Sequence, residues 1–250
     1  MPIPDPLPRS LYVIKAGGTF PQAARHAGDF EHWVMAGLGL PRRFARVLDA
    51  RRVNALPNPA ECAGVVMTGS HTMVTDGLPW MGRLAGWIED LLAADVPFLG
   101  ICFGHQLLAQ ALGGRVDYHP GGMEIGTVTI DLTPSAATDP LFSAMPARLA
   151  AHVVHAQAVL DLPAGATRLA GNAFEPNHAF RIGARAWGVQ FHPEFNKERM
   201  ALYVDHLAET LRAAGRDPLA IRANLAETPE SAGLLPRFAA LVRPPGRDRG

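Results

Sequence analysis

The residues with the clearest chemical capacity lie in two short segments far apart in the chain. In the first, LGICFGHQ, Cys102 is the centre of Gly100-Ile101-Cys102-Phe103-Gly104, a G-x-C-x-G analogue of the nucleophile elbow. A strand that reverses at once into a helix brings its backbones together and leaves no room for a Cβ two residues to either side. The side chain at the apex is then forced outward. The start of a helix also presents unpaired N–H groups and a positive dipole end, which favour a thiolate. A lone cysteine behind an apolar strand is usually a small buried hydrophobe. Here the apolar run, both glycines and the helical continuation coincide, and Cys102 reads as a nucleophile. Cys62, in NPAECAG ahead of a strand, has no such context and reads as structural.

A nucleophilic thiol needs a general base held by a third group. Among the ten histidines, the second segment, WGVQFHPEF, supplies one. Val189 and Phe191 lead straight into His192, and Pro193 disfavours a helical backbone at His192 while fixing its own φ. His192 and Glu194 are therefore extended and point to one side, so Glu194 can hold one imidazole nitrogen while the other faces the thiol. H-x-E alone is equally a strand end with a surface histidine. Paired with Cys102, it completes a Cys102–His192–Glu194 triad.

The elements that must position these groups follow from pattern. LYVIKAG (11–17) and AGVVMTGS (63–70) read as buried strands running into glycine loops, and RRFARVLDAR (42–51) as another strand. The apolar spacing of 79–95 predicts a helix opened by Pro79. VPFLGIC (96–102) is a buried strand and FGHQLLAQALGG (103–114) a helix closed by glycines. This alternation predicts a parallel sheet covered by helices. From Arg115 to Phe195 short alternating runs such as GTVTIDL (126–132) and ARLAAHVV (147–154) predict antiparallel strands packed on one side of that sheet. A last helix is expected over 197–215, and then an extension, 216–250, ending in a frayed RPPGRDRG tail.

With 48% hydrophobic and 18% charged residues the chain is not disordered, and 250 residues fit a single domain (1–250, core about 10–215). Lys+Arg 23 against Asp+Glu 23 gives no net field to attract nucleic acid or anionic lipid. Two cysteines form no disulfide framework, and the amino-terminal MPIPDPLPRS lacks the pattern of a signal peptide. With no run long enough to span a bilayer, a reducing, cytoplasmic setting is expected.

The segments LGICFGHQLLAQALGG (99–114) and GVQFHPEF (188–195), following the strand and loop at 63–70, resemble the class I, triad-type glutamine amidotransferases. The likeness is strongest to the amidotransferase domain of GMP synthetase and its stand-alone relatives. It implies a three-layer, flavodoxin-like α/β fold: a mainly parallel central sheet, helices on both faces and a small antiparallel sheet. It also implies hydrolysis of the side-chain amide of glutamine. Cys102 attacks the amide carbon, His192 protonates the departing ammonia, and water releases glutamate from a γ-glutamyl thioester. An oxyanion needs backbone donors. Phe103, next after the nucleophile, offers one. The resemblance assigns the other to Ser70, with Gly69 beside it, where the family shows Gly-Gly-Pro and this chain has Gly69-Ser70-His71. Gln106 matches the family glutamine four residues after the nucleophile and is expected near the substrate. The segment VVHAQAV departs from the Ser-His-Gly-Asp of GMP synthetases, keeping His155 and Gln157 as polar residues; His155 is expected as a substrate contact.

No Gly-rich phosphate loop is present, Gly17-Gly18 being too short, and nothing after Phe195 resembles an ATP-pyrophosphatase domain. No cofactor is expected, and ammonia would go to a separate synthetase subunit, to solution, or not be the product. Nor do the remaining histidines show metal-ligand spacing. Two alternatives stay open. One is a γ-glutamyl peptidase or hydrolase using the same triad on a γ-glutamyl compound that releases an amino acid or peptide. The other is a non-catalytic, chaperone-like member of the broad fold with Cys102 as a redox sensor; His192-Pro193-Glu194 argues against it.

Overall fold

Successive side chains of a strand point to opposite faces, and β1 (Ser10–Lys15) divides accordingly. Leu11 and Val13 enter one apolar core, Tyr12 and Ile14 another. The computed structural model describes residues 9–53 and 55–242. Most of the proline-rich lead and the whole RPPGRDRG tail lie outside the described residues. After β1 come α1 (Pro21–Ala27), α2 (Phe30–Leu38), β2 (Ala45–Asp49), β3 (Cys62–Met67), α3 (Pro79–Ala93), β4 (Phe98–Ile101) and α4 (Phe103–Ala111). The second half adds β5 (Arg115–Tyr118), β6 (Glu124–Leu132), β7 (Arg148–His155), β8 (Gln157–Asp161), β9 (Thr167–Gly171), β10 (Ala179–Ile182) and β11 (Ala186–Val189). Helices α5 (Lys197–His206), α6 (Ala208–Ala213), α7 (Pro218–Ala223), α8 (Pro229–Ala232) and α9 (Leu234–Val242) follow.

Nine strands form one sheet in the order β2-β1-β3-β4-β11-β10-β9-β6-β7, and β5 pairs with β8 in a separate small antiparallel sheet. From β2 through β11 the neighbours are parallel; from β11 to β7 they are antiparallel. Most of the antiparallel strands expected in the middle of the chain thus prolong the parallel sheet at one edge. Only β5 and β8 stand apart from it. One face of the sheet packs Val13, Val66 and Leu99 against α2 and α9 through Val34, Leu38, Leu234 and Phe238. The other packs Ile14, Val65 and Phe98 against α3 and α4 through Leu84, Ile88, Leu107 and Leu108. Helices therefore cover both faces.

Local chemistry sets several boundaries. Asp29 caps α2, its carboxylate accepting the Phe30 N–H at 2.8 Å, and Gly39, with φ 63°, closes it. Pro79 opens α3 as expected. The single helix expected over 197–215 is interrupted at Leu207, whose φ and ψ of −92° and 8° leave helical geometry. Its main-chain hydrogen bonds to Tyr203 and Leu211 still carry the rod across the break. The stretch after 215, expected as an extension, supplies α7 to α9. Leu234, Leu235 and Phe238 are fully buried in the main core. Pro236 lies within the first turn of α9, where a missing N–H costs little. Among the described residues no helix is long and apolar enough to cross a membrane.

Candidate active site

β3, β4 and β11 are adjacent and parallel, so the loops leaving their carboxyl ends meet at one edge of the sheet. Open α/β sheets bind ligands at that edge. The loop after β3 carries Gly69 and Ser70, Cys102 follows β4, and His192 follows β11. The Cys102 N–H donates to Val189 O at 2.8 Å, tying the apex to β11, and the His192 N–H donates to His152 O at 2.8 Å.

Cys102 has φ 50° and ψ −97°, a conformation that side chains rarely adopt and that costs about 1–3 kcal/mol. The surrounding backbone enforces it. A Cβ on Gly100 would land on the Gly104 carbonyl and lie 2.7 Å from His105 N, and one on Gly104 would lie 2.8 Å from Met67 O. These are main-chain atoms of β3 and α4 that cannot yield singly. Gly100→Ala is therefore expected to destabilise the fold by about 1–3 kcal/mol, the usual cost of overpacking. A thermal melt should show a midpoint roughly 2–4 °C lower per kcal/mol. An unchanged midpoint would mean that α4 is not pressed against β4.

His192 is 2% exposed, and its Nδ1 lies 2.8 Å from Glu194 Oε1, with the carboxylate equally buried. Burial by itself would strip the proton from His192. The Glu194 carboxylate and the charge available on Cys102 outweigh it and raise His192 to about 10. Its Nε2 has no conventional hydrogen-bond partner among the described residues. Gly69 sits against both groups, since a Cβ there would be 3.2 Å from His192 Cε1 and 3.8 Å from Cys102 Cβ. A side chain at 69 would crowd the imidazole. The ring of Phe195 backs His192 at 4.3 Å between centroids, and Arg199 Nη1 donates to Glu194 O at 2.5 Å while its guanidinium lies 5.0 Å over Trp33.

These groups open on a cleft of about 220 Å³ lined by Ser70, Cys102, Phe103, Gln106, His155 and His192, among others. Phe103 is the first residue of α4, so its N–H has no intrahelical acceptor. Ser70 Oγ accepts from Thr72 N–H at 3.0 Å, which shapes the loop. A Cβ on Gly17 would be 2.7 Å from Ser70 Cα. Gly17 thus makes room for the Ser70 loop, while Gly18 faces Asp29.

Two of the expected substrate contacts are more occupied than their sequence positions indicate. Gln106 lines the cleft, but its Nε2 donates to Gln157 O at 2.7 Å and to Gln190 Oε1 at 3.0 Å. Gln157 in turn holds the loop after Ser70, accepting from Val74 N–H at 3.1 Å and donating to Thr75 Oγ1 at 2.6 Å. His155 has both ring nitrogens engaged, Nδ1 with Gln157 O and Nε2 with Glu124 Oε2, each at 3.0 Å. Its side chain offers the cleft no free hydrogen-bonding atom. Burial would favour a neutral Glu124, but hydrogen bonds from His155 and His178 hold it well below the usual carboxylate range. This cluster braces the floor of the cleft.

Phe30, His71, Tyr203 and His206 also line the cleft, and sequence motifs do not single them out. Only His71 carries a local signal, following Ser70 directly. Tyr203 and His206 lie on α5, whose spacing says that a helix forms but not which cavity it borders. Among the described residues, no group of three or more His, Cys, Asp or Glu is arranged to hold a metal ion.

The mixed α/β sheet thus carries an elbow cysteine and a buried His–Glu pair together at its carboxyl edge. The glutamine amidotransferase class-I model matches residues 49–205, and the chain belongs to that family. It is 32% identical over 168 residues to a glutamine-hydrolyzing GMP synthase subunit of Halobacterium salinarum, covering 67% of this chain and 84% of that one. It is also 32% identical over 146 residues to gamma-glutamyl peptidase 5 of Arabidopsis thaliana, covering 58% of each. The match to the GMP synthase of Aeropyrum pernix, 31% identical, covers 67% of this chain but 31% of that one. Several curated relatives are thus matched over only a third to three fifths of their length. A solved glutamine amido transferase from Methylobacillus flagellatus superposes with a TM-score of 0.75 at 24% identity, covering 98% of this chain and 99% of that one. At that identity the likeness speaks for the fold.

Proposed function

We propose that this chain cleaves a γ-glutamyl amide through a thioester on Cys102, the simplest such substrate being glutamine. The observation that carries the reading is the convergence of Cys102, His192 and Glu194 at the ends of adjacent parallel strands, with His192 paired to Glu194 and its Nε2 unengaged. Cys102 Sγ, its proton taken up by His192, bonds to the amide carbon, and the oxyanion is held by the N–H groups of Ser70 and Phe103. As the C–N bond breaks, His192 gives its proton to the departing nitrogen. Water, giving a proton back to His192, then attacks the thioester and frees glutamate and the thiol. The released ammonia passes to a separate synthetase subunit or to solution. The Halobacterium salinarum relative, named as one subunit of a GMP synthase, favours the first route.

A second reading is favoured by the cleft itself. Beyond His192 it continues past Phe30 to His71, Tyr203 and His206, which is more room than ammonia needs. There the leaving group is an amino acid or peptide, as the relative named gamma-glutamyl peptidase 5 also favours. Glutamate release from glutamine, γ-glutamyl dipeptides and glutathione separates the two. A preference above about tenfold in kcat/KM, or about 1.4 kcal/mol, for either class decides between them. No release from any of them would overturn both.

A further inference from the structure

Two histidines outside the proposed triad stand together at the mouth of the cleft. His71 Nε2 lies 3.1 Å from Tyr203 Oη, which is itself 2.8 Å from Thr19 Oγ1, so the ring is held from one side. The other ring nitrogen, Nδ1, has no partner among the described residues. His206 stacks on Phe20 at 4.0 Å with an interplanar angle of 2°, and Phe20 meets the Tyr203 ring edge-on at 5.1 Å. Both histidines reach the surface, His71 with its ring partly buried against Tyr203, and both line the cleft.

Their place relative to the chemistry is set by aromatic contacts. Phe30 lies 6.4 Å from His192 and 5.9 Å from His71, and Phe195 lies 4.3 Å from His192 and 5.1 Å from Tyr203. The pair is therefore linked to His192 through Phe30 and Phe195, and His192 is the group that must reach the departing nitrogen to deliver its proton. Gln106 and Gln157 bond to each other as a separate polar group of the site. None of the described residues lining the cleft is Asp, Glu, Lys or Arg. Burial, then the neighbouring His206 and His192, make His71 harder to protonate. Asp29, whose charge reaches His71, is occupied by Lys15 at 2.6 Å and by the Thr19 and Phe30 N–H groups. Two imidazoles at the mouth of a cleft that no acidic side chain lines suit an incoming anion as hydrogen-bond donors.

We propose that His71 and His206 read a carboxylate on the departing amine, making γ-glutamyl amino acids the substrate class for which this mouth is shaped. The proposal rests on the second reading above and leaves its bond-making and bond-breaking steps unchanged. Tyr203 acts as a positioning residue, holding His71 through Nε2.

The test compares γ-glutamylglycine with γ-glutamyl methylamide, which differs in lacking the leaving-group carboxylate. The wild-type chain is expected to favour γ-glutamylglycine by about tenfold or more in kcat/KM, the size of one charge-assisted hydrogen bond, mainly through KM. In His71→Gln and His206→Gln that ratio should fall toward one, and in His206→Glu it should drop below one. A merely structural role would slow both substrates alike and keep the ratio. A wild-type ratio near one, or variants that preserve it, would overturn the carboxylate assignment while leaving the γ-glutamyl chemistry standing. If the wild-type chain cleaves neither compound but cleaves glutamine, the carboxylate assignment and the second reading both fail. If glutamine too is inert, the proposed function fails with them.

Discussion

Cys102→Ala is expected to lower γ-glutamyl hydrolysis by on the order of 10⁴-fold or more, the loss seen when a covalent nucleophile is removed from a triad. Cys102 is the one thiol among the described residues lining the cleft, and the chain has a single other cysteine. Cys62 cannot replace it. Burial, then the nearby Glu61, push the Cys62 thiol up to about 11, and it lies at the start of β3, away from the carboxyl edge. The substitution removes one atom at a cleft-facing position and keeps the elbow backbone, so the thermal midpoint should stay close to that of the parent. Incubation with an electrophilic glutamine analogue, followed by mass mapping, checks the assignment directly. Modification at another residue, or an unaltered rate in Cys102→Ala, would refute the nucleophile.

Glu194→Gln should follow, with a fall in kcat of on the order of 10² to 10⁴ and a changed pH profile. Glu194 is nearly isosteric with glutamine, so the packing survives while the charge is lost. His192 stays protonated through neutral pH and loses its proton as pH rises toward about 10, because Glu194 and Cys102 overcome its burial. Without the carboxylate the proton leaves at lower pH. The alkaline limb of the kcat/KM profile should therefore move to lower pH in the variant. Stability follows the same sign. A histidine whose folded value is raised contributes fully below its unfolded value of about 6.5, and that contribution is lost as pH climbs toward the folded one. Melts across this range should lose stability with rising pH in the parent and lose less in Glu194→Gln. A limb that stays where it is would mean that Glu194 does not tune His192.

Much of the proposed site is legible in the chain because its constraints are local. Gly100 and Gly104 mark a close approach of backbones, and the structure turns both toward main-chain atoms. Pro193 permits one extended arrangement, and His192 and Glu194 meet in it at 2.8 Å. Where a side chain's meaning depends on distant partners, legibility ends. His155 and Gln106 read as groups facing a substrate, yet His155 is bound to Glu124 and Gln106 to Gln157 and Gln190. No spacing in the chain announces those pairings. The stretch after 215 likewise reads as an appendage, since Pro236 looks like a breaker unless its place in the first turn of α9 is known.

The elbow, the reactive residue types and the family are all written into runs of neighbouring residues, and sequence suffices for each. The order of the strands is not. That β4 lies between β3 and β11, which brings residues 70, 102 and 192 to one edge, emerges only on folding. So does the rotation of α5 that turns Tyr203 and His206 toward the mouth of the cleft. Strand order and helix rotation are set by burial summed over the two cores, a property of the whole chain that no local segment contains.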